Sequence, residues 1–123
     1  MATLPETEVT LSAARIGDTA LLTVTGELDL YAADRLRDAL TPLIERLPPR
    51  LIVDLSSVGF IDSTALGVLV GAAKLVRGGG RSFVVVSSDP RIVRLLEITG
   101  LTLLFELRKT LAEALDEHGA AGG

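Results

Sequence analysis

Asp62, Ser63 and Thr64 place a carboxylate and two hydroxyls in succession just ahead of the small-residue run Ala65-Leu66-Gly67. This is the spacing of a helix start, with Asp62 or Ser63 as the capping residue. A hydroxyl at such a helix mouth is exposed, and the free N–H groups and helix dipole tolerate a phosphate there. The fold would survive phosphorylation, but the surface would not stay the same, because a phosphate adds about −1.5 to −2 charges at neutral pH. Gly26-Glu27-Leu28-Asp29 is the second polar stretch of interest. By local pattern it is a turn with a cap for the following helix. In a parallel sheet it shares one rim with Phe60–Thr64, and that rim is the usual binding surface of an open α/β sheet. Set against Asp62, Asp29 and Glu27, a phosphate would make this acidic rim strongly repulsive to an acidic or apolar partner patch: at ~7 Å and an effective dielectric of ~20–40, two such charges facing one carboxylate repel by about 2–5 kcal/mol before salt screening.

Other chemistries lack their residues. The single histidine, His118, lies near the C-terminus, so a Ser-His-Asp triad has no base. No histidine spacing suggests a metal site, and the absence of cysteine removes disulfides and thiolate chemistry. No carboxylate pair stands out by spacing as acid and base. Gly78-Gly79-Gly80 is not followed by Lys-Ser/Thr and is no phosphate-binding P-loop. No cofactor is expected. The net charge of −4, without a basic run, argues against a nucleic-acid partner. The longest apolar stretch, Ala65 to Val76, is too short to span a bilayer, and the N-terminus lacks signal-peptide order. A soluble cytoplasmic domain is expected.

The elements that must hold these residues follow from periodicity. The 123-residue chain is one domain in length and 48% hydrophobic, with only three Phe and one Tyr. Its core must be aliphatic. Residues 1–7 read as a disordered lead, 8–118 as the domain and 119–123 as a frayed tail. Alternation from Val9 predicts an edge strand with one wet face, and Gly17-Asp18 turns the chain into a second strand, Ala20 to Thr25. Leu36, Leu40, Leu43 and Leu47 define a helix face beginning near Tyr31 or Ala32, with a kink or break at Pro42. Leu51 to Leu55 is a central strand, followed by a helix from about Ser63 to Val76, ended by Gly78-Gly79-Gly80. Gly67 and Gly71 are expected to let that helix lie close to the sheet. Ser82 to Val86 is a strand, Asp89-Pro90 opens a helix to Gly100, and Leu103 to Leu107 is a fifth strand. Thr110 to Glu113 has capping-box spacing and opens a last helix through Glu117. The result is an α/β fold: a mixed sheet of about five strands, formed by an N-terminal hairpin and then parallel strands. Right-handed crossovers should put the intervening helices mainly on one face, with a C-terminal helix in addition.

Two stretches together resemble a known family. Gly26-Glu27-Leu28-Asp29 and the run from Asp54 to Gly67, DLSSVGFIDSTALG, are similar to the anti-sigma factor antagonists of the STAS domain family. The likeness extends over nearly the whole chain, including Asp89-Pro90 and Thr99-Gly100-Leu101. It implies a bacterial partner-switching protein that is not an enzyme. The unphosphorylated antagonist binds a kinase-type anti-sigma factor and frees the sigma factor. That kinase phosphorylates the antagonist with ATP, and a metal-dependent serine phosphatase restores it. The resemblance selects Ser63 as phosphoacceptor and implies a partner surface of Gly26, Glu27, Asp29, Phe60, Asp62, Thr64, Ala65, Leu66 and Gly67. Ala65 departs from the family pattern, which has glycine, and is expected to add a methyl group beside the acceptor. A STAS subunit docking on a membrane transport system without phosphorylation is the alternative, and homodimerisation is left open.

Overall fold

The computed structural model describes residues 8–122, with side chains through Asp116. The expected lead, residues 1–7, lies outside the described residues, as do Gly123 and the side chain of His118. Strands β1 (Thr10–Ile16) and β2 (Thr19–Thr25) are followed by α1 (Ala32–Glu45), β3 (Arg50–Ser57) and α2 (Ser63–Gly78). Then come β4 (Ser82–Val86), α3 (Pro90–Ile98), a 3-10 turn at Leu101–Leu103, β5 (Glu106–Arg108) and α4 (Leu111–Gly122).

The sheet runs in chain order, β1-β2-β3-β4-β5. β1 and β2 form the antiparallel hairpin, and β2 through β5 are parallel. One face carries Leu22, Val24, Leu51, Val53, Leu55, Phe83 and Val85 against Leu36 and Leu40 of α1, Leu69 and Ala73 of α2, and Ile92 and Leu96 of α3. The other face packs Leu21, Ile52, Val84 and Val86 on Ala114 of α4. The alternation of side chains along each strand separates these two sets. β3 is buried on both faces, which explains its unbroken apolar run. Arg50 at its start is also buried and donates from Nη1 to the Ala114 carbonyl at 2.7 Å, fastening α4 to the sheet.

Several boundaries differ from the sequence expectation. β1 starts at Thr10 rather than Val9. It is exposed on both faces except at Leu11, because the helices cover the strands beyond it. α1 runs unbroken through Pro42. Pro42 and Asp38 are both exposed, so the Asp38 carbonyl that loses its partner faces water. Leu47 does not continue the helical face: it follows the helix with φ 53° and is 67% exposed. α2 includes Gly78, and the left-handed residue is Gly80, at φ 78°, with the Arg81 N–H closing onto the Val76 carbonyl at 3.2 Å. α3 ends at Ile98, and Gly100 at φ 75° turns the chain into the 3-10 segment. The expected strand Leu103–Leu107 is shortened to Glu106–Arg108. Leu101, Leu104 and Phe105 have helical rather than alternating spacing, and the N–H groups of Leu104 and Phe105 both close onto the Leu101 carbonyl. Thr110 caps α4, with the Glu113 N–H donating to Thr110 Oγ1 at 3.0 Å, and α4 continues past Glu117 to Gly122.

Gly67 and Gly71 do not face the sheet. Both are exposed, and a Cβ on either would meet no atom within 4 Å. They open onto a shallow groove between α1 and α2, while Ala65, Leu69, Ala72, Ala73 and Val76 form the buried face of α2.

Candidate functional site

The carboxyl ends of β2 and β3 lead into two loops that are hydrogen-bonded to each other. The Leu28 N–H donates to the Phe60 carbonyl at 2.9 Å, and the Asp62 N–H donates to the Leu28 carbonyl at 2.9 Å. These bonds form a parallel bridge between Leu28 and Ile61. The loop expected at Glu27-Leu28-Asp29 therefore extends the sheet by one pair. Leu28 and Ile61 are both buried, so the bridge is anchored in the core.

Gly26 makes the approach to this bridge feasible. It adopts φ 107°, and a Cβ there would lie 2.9 Å from the Glu8 carbonyl oxygen and 3.1 Å from Val9 Cα. Only glycine fits both the conformation and the space. Beyond it, Asp29 Oδ1 accepts from the Ala32 N–H at 2.9 Å and caps the first turn of α1. On the facing loop, Asp62 caps α2. It is extended at φ −87°, ψ 173°, and its Oδ1 accepts from the Ala65 N–H at 2.9 Å. This resolves the choice between Asp62 and Ser63 in favour of Asp62. Ser63 is then the first residue of α2, with Thr64 next, and both are exposed. Replacing Asp62 with alanine leaves the Ala65 N–H without its acceptor. The expected loss is about 1 kcal/mol of unfolding free energy, read by urea titration.

The sequence-selected residues divide by exposure. Phe60 is 46% exposed, Gly67 is open, and Gly26, Glu27, Asp29, Asp62 and Leu66 are half-buried. Ala65 is the exception. It is fully buried, so its methyl group faces the core and not the acceptor's surroundings. The expected crowding beside Ser63 is absent because the helix turns this side chain inward. Ala65 contributes to the corner through its N–H alone.

Two features were not singled out from sequence. Leu30 and Tyr31, 57% and 85% exposed, follow Asp29 and add exposed apolar side chains at the start of α1. The signal in the sequence is that Tyr31, at the helix start, does not join the Leu36–Leu40 face. The other feature is Arg91. Asp89 caps α3 by accepting from the Arg91 N–H at 2.9 Å, and holds the Arg91 guanidinium through bonds of 3.1 and 2.8 Å. The guanidinium lies over Gly59, where a Cβ would be 2.7 Å from Nη2. A side chain at position 59 would displace it. Arg91 and Glu27 also attract one another. One cation thus lies at the rim, already paired to a carboxylate, and Glu27, Asp29 and Asp62 keep the balance acidic.

The Arg91 side-chain hydrogen bond, helped by its backbone N–H, lowers the Asp89 carboxyl to about 2. A depressed carboxylate stabilises the fold above its ordinary range near 3.8, and the contribution is lost as pH falls toward about 2. Arg91→Ala should raise the Asp89 titration from about 2 toward 3.8 without fully reaching it, because the backbone N–H groups of residues 91 and 92 remain; the carboxyl carbon shift in NMR follows it.

Among the described residues, no cluster of His, Asp or Glu is placed to hold a metal ion, and no helix is long and apolar enough to cross a membrane.

The architecture is thus a mixed-sheet α/β domain whose exposed polar corner sits at the carboxyl ends of its parallel strands. The chain belongs to the STAS domain family, whose model matches residues 10–114. It is 39% identical over 84 residues to the anti-sigma-B factor antagonist of Bacillus subtilis (strain 168), covering 68% of this chain and 76% of the relative. The structure of an anti-sigma factor antagonist from Mycobacterium paratuberculosis superposes with a TM-score of 0.85 at 30% identity, covering 92% of this chain and 96% of that one. The Bacillus cell fate determinant SpoIIAA in its phosphorylated form shares the fold, with a TM-score of 0.70 at 19% identity over 88% of this chain and 98% of the other.

Proposed function

We propose that this protein is a cytoplasmic anti-sigma factor antagonist, a binding module switched by phosphorylation of Ser63. Unphosphorylated, it binds a kinase-type anti-sigma factor and releases the sigma factor. Phosphorylated by that kinase, it lets go, and a serine phosphatase returns it to the binding form. The observation that carries this reading is the position of Ser63. It is the exposed first residue of a helix already capped by Asp62, so its hydroxyl is not needed for the cap. The family and the names of the relatives support it further.

The partner surface is the rim built by Glu27, Asp29, Phe60, Asp62, Thr64, Leu66 and Gly67, together with Leu30 and Tyr31. Exposed apolar side chains, Phe60, Leu30 and Tyr31, stand on this rim with the carboxylates of Glu27, Asp29 and Asp62, the mixture that protein-binding surfaces use.

Incubation with the cognate anti-sigma kinase and ATP, followed by mass spectrometry, tests the acceptor. Phosphate is expected on Ser63 and lost in Ser63→Ala. Phosphate confined to Thr64 or to another site, or none with any kinase encoded by the organism, would overturn the assignment.

A further inference from the structure

Gly59 has no backbone reason to be glycine. Unlike Gly26, it does not take positive φ, so the chain there accepts any residue. The obstacle to a side chain is the Asp89–Arg91 pair. A Cβ at position 59 would lie 2.7 Å from Arg91 Nη2 and 3.6 Å from Asp89 Oδ2, and its nearest neighbours all belong to that pair. The first distance is too short for any contact, while the second is ordinary. An alanine would therefore push the guanidinium away and leave Asp89 where it is.

The pair is built to hold one geometry. Asp89 Oδ1 accepts from the Arg91 N–H at 2.9 Å and from Nε at 3.1 Å, while Oδ2 accepts from Nη2 at 2.8 Å. Two side-chain bonds to one carboxylate fix the plane of the guanidinium. The Arg91 side chain is still 75% exposed, and an exposed ion pair adds little to stability. Its consequence is placement. The guanidinium covers Gly59 and attracts Glu27. In the sheet, β3 lies between β2 and β4. The loop after β3 is bonded through the Phe60 carbonyl to Leu28, in the loop after β2. On its other flank it meets Arg91, at the start of the helix after β4. Phe60, 46% exposed, stands between these two attachments.

We propose that Arg91 is a positioning residue of the partner surface. With Asp89 it locks the loop from Val58 to Ile61 against the amino end of α3 and so sets how Phe60 meets the anti-sigma partner. Glycine at position 59 is the condition of that lock. The proposal rests on the reading of this rim as the partner surface.

Gly59→Ala is the selective probe, because it leaves every charge in place. The lock is tested without a partner. Gly59→Ala should raise the Asp89 titration from about 2 toward 3.8, read by the carboxyl carbon shift, as Arg91→Ala does. An unchanged titration would overturn the lock. Its role in binding is tested by a double-mutant cycle against the anti-sigma partner. Each single variant should weaken binding by about three- to tenfold, the cost of ordering a loosened side chain on association. The double variant should bind like Arg91→Ala alone, since the alanine at 59 then has nothing left to displace. Arg91→Lys should lose as much as Arg91→Ala, because an ammonium is a point charge that cannot grip a carboxylate as a planar fork does. Thermal unfolding of each variant confirms that it folds. Additive losses in the double variant, or full binding by Arg91→Lys, would overturn the positioning role. If the unmodified protein binds no anti-sigma factor, the reading of the rim falls and the positioning role with it, whereas the lock is still decided by the Asp89 titration.

Discussion

Ser63→Asp is expected to weaken binding to the anti-sigma partner by about tenfold, while Ser63→Ala binds like the unmodified protein. The serine hydroxyl is not used in the cap, so its removal costs the fold little. A carboxylate at the same position adds to the charge of Glu27, Asp29 and Asp62 on a rim held together by the Leu28–Ile61 bridge, and so repels an acidic or apolar partner patch. With about half the charge of a phosphate, the aspartate facing a partner carboxylate at ~7 Å is repelled by about 1–2.4 kcal/mol, and tenfold corresponds to about 1.4 kcal/mol. Arg91 does not cancel this, because Asp89 already holds its guanidinium through two bonds. Salt should narrow the difference between the two variants, since exposed charges are screened within about 10 Å at 0.1 M ionic strength. Isothermal titration at two salt concentrations reads both effects. Equal affinities for the two variants would remove the electrostatic basis of the switch.

Leu28→Ala should destabilise the protein by about 2–5 kcal/mol, the range for a buried leucine replaced by alanine. Leu28 is fully buried, and its backbone carries both hydrogen bonds that join the two rim loops. The substitution keeps those backbone groups but leaves a cavity beneath them. Partner affinity should fall as well, because Glu27 and Asp29 flank the loosened position. Urea unfolding should show a lower midpoint with an unchanged slope. A loss under about 1 kcal/mol would mean that the bridge is not anchored by this side chain.

The core was legible from sequence wherever one periodicity dominated. Leu51 to Leu55 reads as a central strand, and all of it is buried. The Asp89-Pro90 start and the Thr110 cap also form where residue types indicate. Errors arose where tertiary packing decided. The apolar run suggests a strand from Leu103, but a left-handed Gly100 turns the chain into a 3-10 segment at Leu101–Leu103, and the strand starts only at Glu106. Leu47 fits helical spacing yet lies beyond the last turn, where Leu47 itself takes positive φ. Gly67 and Gly71 were read as contacts to the sheet, although the residues packed on it are Ala65, Leu69 and Ala73. Periodicity shows that a helix has faces. It does not reveal which neighbours a small residue meets.

The corner itself was half legible. Asp62 as a possible cap and the acidic loop at Glu27 and Asp29 follow from local pattern. The backbone bridge between the two loops does not, because Leu28 and Ile61 are 33 positions apart in the sequence. Nor does the Arg91 guanidinium over Gly59, which joins the third rim loop to the second. The choice of Ser63 over Thr64 came from the family resemblance, since both hydroxyls are exposed at the same helix mouth.

The most direct measurement compares one protein in two states. The chain is phosphorylated to completion on Ser63 and titrated against its anti-sigma partner, beside the unphosphorylated chain. Loss of affinity by about thirtyfold or more, restored by a serine phosphatase, is the predicted result. Phosphorylated and unphosphorylated protein binding with equal affinity would contradict the account.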